Sequence, residues 1–145
     1  MKKQEKEMIE KIMKYMNTDF IISDYVYEHY DAFNRTHLLE VKDRGDIPYD
    51  DLIIEFDKFA YNRTYAIIAD RSFWYASRVN GEIYIWDIGE LIKQNYDFNW
   101  QWCDLPSNTE WGGDTIKKYA GKVWKKDAMV AFNSDTLKTI NNQEN

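Results

Sequence analysis

The triplet Glu40-Val41-Lys42 is the feature of this sequence with the clearest capacity for chemistry. None of the other acidic residues, of which the chain has 25 in all, stands two places before a lysine. Alternate residues of a strand share a face, so Glu40 and Lys42 project together from the apolar stretch that contains them. Asp31 ends the preceding extended stretch, and a hairpin of this length can bring its carboxylate beside that of Glu40.

Two carboxylates held together in a partly buried site repel each other unless one is protonated or a cation lies between them. A hard divalent metal ion resolves that conflict, and the predicted ligands are Asp31, Glu40 and the carbonyl of Val41. Oxygen ligands of this kind favour Mg²⁺ or Mn²⁺. Lys42 would position or help deprotonate the attacking water and offset charge developing on a phosphate. The pattern predicts phosphodiester hydrolysis, and an edge strand with a surface Glu40–Lys42 ion pair is the alternative.

Histidine and cysteine contribute little to this prediction. The chain has only His29, His37 and Cys103, which are too few ligands for a structural zinc site of the Cys/His type. Cys103 has no histidine near it in sequence, so a catalytic thiol is not expected. A single cysteine forms no intrachain disulfide and suits the reducing cytosol, so we expect a cytoplasmic protein of a bacterial host cell.

The first segment predicts an amphipathic helix. An advance of about 100° per residue places its apolar side chains on one face. That face consists of Met8, Ile9, Ile12, Met13 and Met16. Glu5 falls near the centre of the face, whereas Glu10 points away from it. Glu5 is therefore either a functional carboxylate or an acid that favours the helix start through the macrodipole.

The middle of the chain predicts a hairpin, a second helix and three strands. In chain order these are a hairpin over 20–30 and 37–42 with its turn at 33–36, a helix from Tyr49 to Tyr61, and strands over 64–69, 73–79 and 82–88. The helix is predicted from apolar residues at helical spacing. Asn80-Gly81 is a strong signal for a short turn between the last two strands.

The last third of the chain is less regular. Residues 89–113 are predicted to be loop-rich, and the tryptophans of 100–111 either plug one end of the sheet or stack on unpaired bases. A short helix is predicted to begin at 115–119 and to close at Gly121. An edge strand is predicted over 123–132.

This order of elements predicts an α+β fold in which a helix packs on a sheet. The length of 145 residues suits one domain, which we place at 1–133, followed by a loose polar tail at 134–145. No stretch of about 20 apolar residues occurs, so no membrane partner is expected.

The net charge of −6 argues against indiscriminate binding to phosphate backbones. The charge is uneven, because residues 114–145 contain six lysines against four acids and carry +2, which leaves −8 on the remainder. The lysines of this segment form either a solvated face or a contact surface for nucleic acid. The predicted contact residues are Lys117, Lys118, Lys122, Lys125 and Lys126.

Taken together, Glu5, Asp31, Glu40-Val41-Lys42 and the helix from Tyr49 to Tyr61 resemble the PD-(D/E)XK nuclease superfamily. The core of that group orders a helix, a hairpin with a metal-binding Asp, an acid-x-Lys strand, a second helix and another strand. The resemblance covers about half the chain, to about Ala69. The remainder looks like small uncharacterised phage and bacterial members of the group.

The resemblance implies a restriction-endonuclease-like fold, a mixed β-sheet core flanked by helices. It also implies a role for Glu5, since members commonly use a first-helix Glu as an outer metal contact. Tyr30 stands where the motif name has Pro. Resolvase-like members are often dimers, so a homodimer is compatible with the resemblance.

We therefore expect a Mg²⁺- or Mn²⁺-dependent hydrolase, a nuclease that cleaves DNA and is encoded by a phage or mobile element. The alternative is a catalytically inactive nuclease-fold binding protein, for example an acidic inhibitor of a host nucleic-acid enzyme. In that case the acidic part of the chain would mimic a phosphate backbone. A third interpretation is a small structural or assembly protein with an aromatic-rich surface.

Overall fold

The computed structural model describes residues 1–23, 29–106 and 114–140, which contain three helices and nine strands. The helices are α1 (Lys3–Met16), α2 (Phe56–Ala69) and α3 (Ile88–Lys93). The strands are β1 (Ile21–Ile22), β2 (Ala32–Phe33), β3 (His37–Gly45), β4 (Asp51–Glu55), β5 (Ser72–Val79), β6 (Glu82–Asp87), β7 (Gln101–Pro106), β8 (Thr115–Trp124) and β9 (Val130–Asn133). The fold is mixed α+β, as the sequence predicts.

The strands form two sheets. The larger sheet has the order β1-β2-β3-β5-β6-β9, in which β3 and β5 run parallel and the other pairs run antiparallel. A parallel pair needs a long crossover connection, and β4 with α2 supplies it. The smaller sheet is antiparallel with the order β4-β8-β7. β4 therefore belongs to the crossover of one sheet and to the edge of the other.

Strand alternation gives the larger sheet two packed faces. The face toward α1 buries Leu39, Val41, Trp74, Ala76, Ile83, Ile85 and Phe132. The opposite face buries Leu38, Phe73, Tyr75, Tyr84 and Trp86 against α2 and the smaller sheet. Within β3, even-numbered residues consequently face α2, and this direction decides where Glu40 lies.

The smaller sheet has one core face and one face toward an open cleft. Leu52, Ile54 and Val123 are buried in the core that α2 shares. Alternation turns Ile53 and Glu55 the other way, into the cleft beside Glu40. The smaller sheet thus forms one wall of a site whose floor is β3.

Several predicted elements are confirmed. α1 buries the middle of its predicted apolar face, and the strands over 73–79 and 82–88 are present as β5 and β6. Between them Asn80 and Gly81 have φ values of 53° and 76°, as a two-residue hairpin turn requires. β3 begins at the predicted residue and continues three residues further, to Gly45.

The predicted helix from Tyr49 to Tyr61 is wrong in its first half. Residues 51–55 form β4, with Leu52 and Ile54 buried in alternation, and helix begins only at Phe56. The strand predicted over 64–69 is also wrong, because these residues are the second half of α2. A short apolar run fits both periods, and pairing of β4 with β8 selects the strand.

The helix predicted at 115–119 with its close at Gly121 is wrong as well, because these residues belong to β8. Gly121 serves close packing instead, since a Cβ at this position would lie 2.8 Å from the Trp100 ring. The segment 89–113 is more regular than predicted, as it contains most of α3 and all of β7. Its residues 107–113, with Trp111, lie outside the described residues.

The remaining differences concern the extent of predicted elements. Of the strand predicted over 20–30, only β1 is present among the described residues, and 24–28 lie outside them. The edge strand within 123–132 is shorter than predicted and occurs as β9, after a 3-10 turn at Lys125–Asp127. The described part of the tail is packed rather than loose, because Leu137 and Ile140 lie against the core. None of the described helices is long and apolar enough to cross a membrane.

Candidate active site

A cleft of about 450 Å³ lies where β3, β4, the β7–β8 pair and the starts of α1 and α2 meet. Its ionisable lining consists of Lys2, Glu5, Glu40, Lys42, Asp43, Arg44, Glu55, Lys58 and Lys118. Its apolar and aromatic lining consists of Ile53, Tyr75, Leu105 and Pro106. Both ionisable residues of the predicted triplet therefore lie in one cavity with cations and further acids.

β3 supplies three charged side chains to this cleft. Glu40, Lys42 and Arg44 occupy alternate positions and share a face. Arg44 is fixed, because its Nη2 donates to the Ile53 carbonyl at 2.6 Å and to the Tyr75 hydroxyl at 3.1 Å. Glu40 is only 2% exposed and Lys42 is half-buried. The surface ion pair that was the alternative from sequence does not fit this burial.

Asp31 interrupts the hairpin ladder so that its carboxylate reaches β3. Ala32 pairs with Leu39, so the next position of the register places Asp31 across from Glu40. However, the Asp31 N–H donates to the carbonyl of Leu39, the residue before Glu40, at 2.8 Å, so the regular register ends here. Its Oδ2 accepts from the Val41 N–H at 2.8 Å. The side chain thus replaces a strand acceptor, which holds the carboxylate near Glu40.

Both carboxylates bind protons more tightly than usual. Burial raises the pKa of Asp31 to about 6, and the charge of Glu5 adds to this while the Val41 N–H opposes it. Burial raises the pKa of Glu40 to about 7, with Lys58 opposing and the charge of Asp31 adding. The repulsion predicted from sequence is therefore present between these two groups.

Lys58 lies beside Glu40 without satisfying it. Its Nζ is 4.0 Å from Glu40 Oε1 and 4.0 Å from Glu55 Oε2. Burial and the charge of Lys42 lower the pKa of Lys58. Glu40 Oε2 is buried and has no hydrogen-bond partner among the described residues. A buried carboxylate oxygen without a donor is costly, and a cation would satisfy it.

Glu5 reaches the same cleft from the first turn of α1. The side chain is half-buried and lines the cavity, whereas Glu10 is exposed. Its charge is one of the causes of the raised pKa of Asp31. The helical phase predicted from sequence agrees with this placement, and the role of Glu5 as an outer metal contact stays a prediction.

The donor set fits a magnesium ion better than a metal held entirely by protein. Within residues 1–23, 29–106 and 114–140, no group of three or more His, Cys, Asp or Glu side chains is arranged to hold a metal ion. Mg²⁺ is commonly held by one or two carboxylates, with water and substrate phosphates completing the shell. Asp31 and the unpartnered oxygen of Glu40 supply such a pair. Coordination by the Val41 carbonyl stays a prediction.

Sequence patterns mark neither Glu55 nor Lys58 as a site residue, and they place Lys118 among the predicted nucleic-acid contacts rather than beside Glu55. Glu55 Oε1 lies 2.8 Å from Lys118 Nζ, so this ion pair ties β8 to the start of α2. Burial acts to raise the pKa of Glu55, but the ion pair with Lys118 holds it below its ordinary value. The spacing of Glu55 and Lys58 is a recognisable i,i+3 signal. No local pattern places Lys118 beside Glu55, because this contact follows from the pairing of β8 with β4.

The five lysines predicted to contact nucleic acid do not form one surface. Alternation along β8 places Lys117 on one face and Lys118 and Lys122 on the other. Each of these three is paired with an acid: Lys117 with Asp104 at 3.2 Å, Lys118 with Glu55 at 2.8 Å and Lys122 with Asp51 at 3.2 Å. Lys125 lies over the Tyr84 ring, and Lys126 is exposed in the 3-10 turn. Of the five, Lys118 is the one that lines the cleft.

The two described tryptophans of 100–111 have different environments. Trp100 packs against Phe59 and Phe98 at ring distances of 4.8 and 5.4 Å, which agrees with the plugging interpretation. Trp102 is 69% exposed and contacts Tyr119. Trp102 pairs with Tyr119, the neighbour of Lys118 along β8. Since successive residues of a strand face opposite ways and Lys118 lines the cleft, Trp102 lies on the face of the β7–β8 pair away from the cleft.

The cleft therefore brings the buried carboxylate of Glu40 beside several lysines, and the Asp31 carboxylate is bonded to β3 next to it. His29, His37 and Cys103 do not line it. No protein-family model and no curated protein matches this chain.

Proposed function

We propose that the protein is a divalent-metal-dependent nuclease that hydrolyses phosphodiester bonds in DNA, and that it acts in a bacterial cytoplasm as a phage or mobile-element product. The observation that carries the proposal is the placement of Glu40 and Lys42 in one cleft, with the Asp31 carboxylate bonded to the Val41 N–H between them and a buried Glu40 oxygen that has no donor among the described residues. The resemblance of the helix, hairpin and acid-x-Lys strand to PD-(D/E)XK nucleases supports the same reaction.

Asp31 and Glu40 would hold Mg²⁺ or Mn²⁺, with the Val41 carbonyl as a further oxygen ligand and Glu5 contacting an outer water. When bound, such an ion polarises a phosphate oxygen and lowers the pKa of water. Lys42 shares the face of Glu40, so its ammonium donates hydrogen bonds to the attacking water or to a phosphate oxygen as negative charge develops.

The proposal predicts different failures for the ligands and for the lysine. Asp31→Ala and Glu40→Ala each remove a ligand, so both should abolish Mn²⁺ binding and cleavage. Lys42→Ala should leave Mn²⁺ binding intact or slightly tighter, because a nearby positive charge is lost, while cleavage falls by about two orders of magnitude or more. Calorimetric titration with Mn²⁺ and cleavage of plasmid and oligonucleotide DNA measure both effects.

Exposed residues of α1 provide matched controls. Glu10→Ala and Lys14→Ala remove the same charges from the solvent side of the helix and should change neither binding nor cleavage. Absence of Mn²⁺ binding by the wild-type protein, with and without DNA, would contradict the proposal. That result would instead favour the catalytically inactive binding protein.

A further inference from the structure

We propose that the cleft takes a DNA strand whose bases are unpaired at the scissile phosphate, rather than the side of an intact duplex. The reaction that follows rests on the proposed function. The depth, lining and charge of the cleft support this choice of substrate form.

Glu40 lies buried in a recess. Glu40 is 2% exposed, and the β7–β8 pair and the start of α1 contribute Leu105 and Glu5 to the lining of the same cavity. The volume of about 450 Å³ falls within the range of about 300–1,000 Å³ that is typical of sites for small molecules. A nucleotide-sized group can enter such a recess, whereas a phosphate on a rigid duplex brings both strands with it.

The lining is suited to a nucleotide with its base exposed. Lys42, Lys58 and Lys118 offer charge for a phosphate, while Ile53 and Leu105 on the smaller sheet offer apolar surface in the same cavity. In a duplex the faces of the bases are stacked on one another and unavailable. An unpaired base exposes an apolar face that can pack on this wall.

The lysines of 117–126 do not form the continuous basic stripe that a duplex requires. Interfaces with duplex DNA typically bury about 1,000–2,500 Å² and neutralise a row of phosphates. Here Lys117 and Lys122 lie on opposite faces of β8, and each is paired with an acid. The net charge of −6 further disfavours broad contact with a polyanion. A single strand in the cleft needs fewer phosphate contacts.

The test compares three DNAs of one sequence: a single strand, a blunt duplex and a duplex with a single-stranded overhang. With wild-type protein and Mn²⁺, we expect cleavage in or beside the unpaired segment to be at least about tenfold faster than inside the duplex. Fluorescence anisotropy of the same labelled DNAs in EDTA provides a readout without cleavage. It should show about tenfold tighter binding of the single strand.

Two substitutions on opposite faces of the β7–β8 pair locate the contact. Leu105→Ser removes apolar surface from the cleft wall and should weaken single-strand binding about fivefold, with little effect on the duplex. Trp102→Ser removes a larger aromatic from the opposite face and should leave the preference for the single strand unchanged. Both residues are partly or largely exposed, so neither change should prevent folding.

The outcomes separate this inference from the proposed function. Mn²⁺ binding together with equal affinity and equal cleavage of all three DNAs would overturn the inference and leave the nuclease intact. Loss of the single-strand preference in Trp102→Ser but not in Leu105→Ser would also overturn it. Absence of Mn²⁺ binding and of cleavage, with tighter binding of the single strand retained, would overturn the nuclease and support the choice of strand.

Discussion

Glu40 is where stability and function conflict most directly. A carboxylate that is 2% exposed loses most of its hydration, and a single lysine at 4.0 Å does not replace it. Natural proteins accept such a cost where a charged group is needed for chemistry. Burial is the main cause of the raised pKa of Glu40. The site therefore disfavours the charged carboxylate and favours its protonated form.

The cost predicts a pH dependence of metal-free stability. The pKa of Glu40 is about 7 in the folded protein and near 4.5 in the unfolded chain. The folded state is therefore most favoured below about pH 4.5, where Glu40 is protonated in both states, and this advantage is lost as the pH rises toward 7. Glu40→Gln should therefore unfold less readily than wild type at about pH 8 in EDTA, by about 1–3 kcal/mol. Urea denaturation across this range measures the difference.

Manganese provides the complementary measurement. Because Mn²⁺ is proposed to bind the ionised pair, adding it near neutral pH should stabilise wild type and have little effect on Glu40→Gln. This account would be contradicted if Glu40→Gln were less stable than wild type at every pH. That result would mean that the Glu40–Lys58 contact, rather than burial, dominates the energetics of the site.

At the same scale, sequence spacing predicts the approach of Asp31, Glu40 and Lys42 better than it predicts their surroundings. Asp31, Glu40 and Lys42 follow from strand alternation and from one hairpin, which are local rules. Lys118 enters the cleft because β8 pairs with β4, about 60 residues earlier in the chain. Pairings over such distances are set by tertiary packing, and no local pattern encodes them.

Among the elements, the junction of β4 and α2 shows why the helix predicted from Tyr49 to Tyr61 is wrong in its first half. Leu52 and Phe56 are four residues apart and suit one helical face, yet Leu52 and Ile54 also suit one face of a strand. The low amphipathicity of α2 gives a weak helical signal, since exposed Ile67 and Ile68 stand near its end. The smaller sheet decides the matter by pairing β4 along its full length.

The packing around Gly121 in the smaller sheet predicts that alanine is tolerated less well there than at Gly89 in α3. Gly121→Ala places a Cβ 2.8 Å from Trp100, whose ring is itself packed against Phe59, so the clash should destabilise the fold by about 1–3 kcal/mol. Gly89→Ala, within α3, meets nothing closer than 3.7 Å and should be neutral or stabilising by up to about 1 kcal/mol. Urea unfolding compares the two, and equal effects would contradict the proposed tight contact.

In the whole molecule, lysines of the positive C-terminal part form ion pairs with acids of the negative remainder, so the two parts do not form separate charged surfaces. The sequence showed a positive C-terminal part and a negative remainder, which suggested two surfaces. The fold instead brings Lys118 and Lys122 against Glu55 and Asp51 of β4, so the two parts neutralise each other across the smaller sheet. Lys42, Lys58 and Lys118 lie together at the cleft, where they would supply positive charge to the proposed substrate.

This arrangement predicts which lysine contributes to the salt dependence of DNA binding. The ion pair with Glu55 uses one of the three donors of Lys118, so its ammonium can also contact a phosphate in the cleft. Lys118→Gln should flatten the dependence of log Kobs on log salt by about 0.7 for a single strand, the slope expected for one lost phosphate contact. Lys117→Gln, on the opposite face of β8, should leave the slope unchanged. Anisotropy titrations of a labelled single strand over a range of NaCl concentrations measure both, and the reverse result would move the binding surface to the face that carries Trp102.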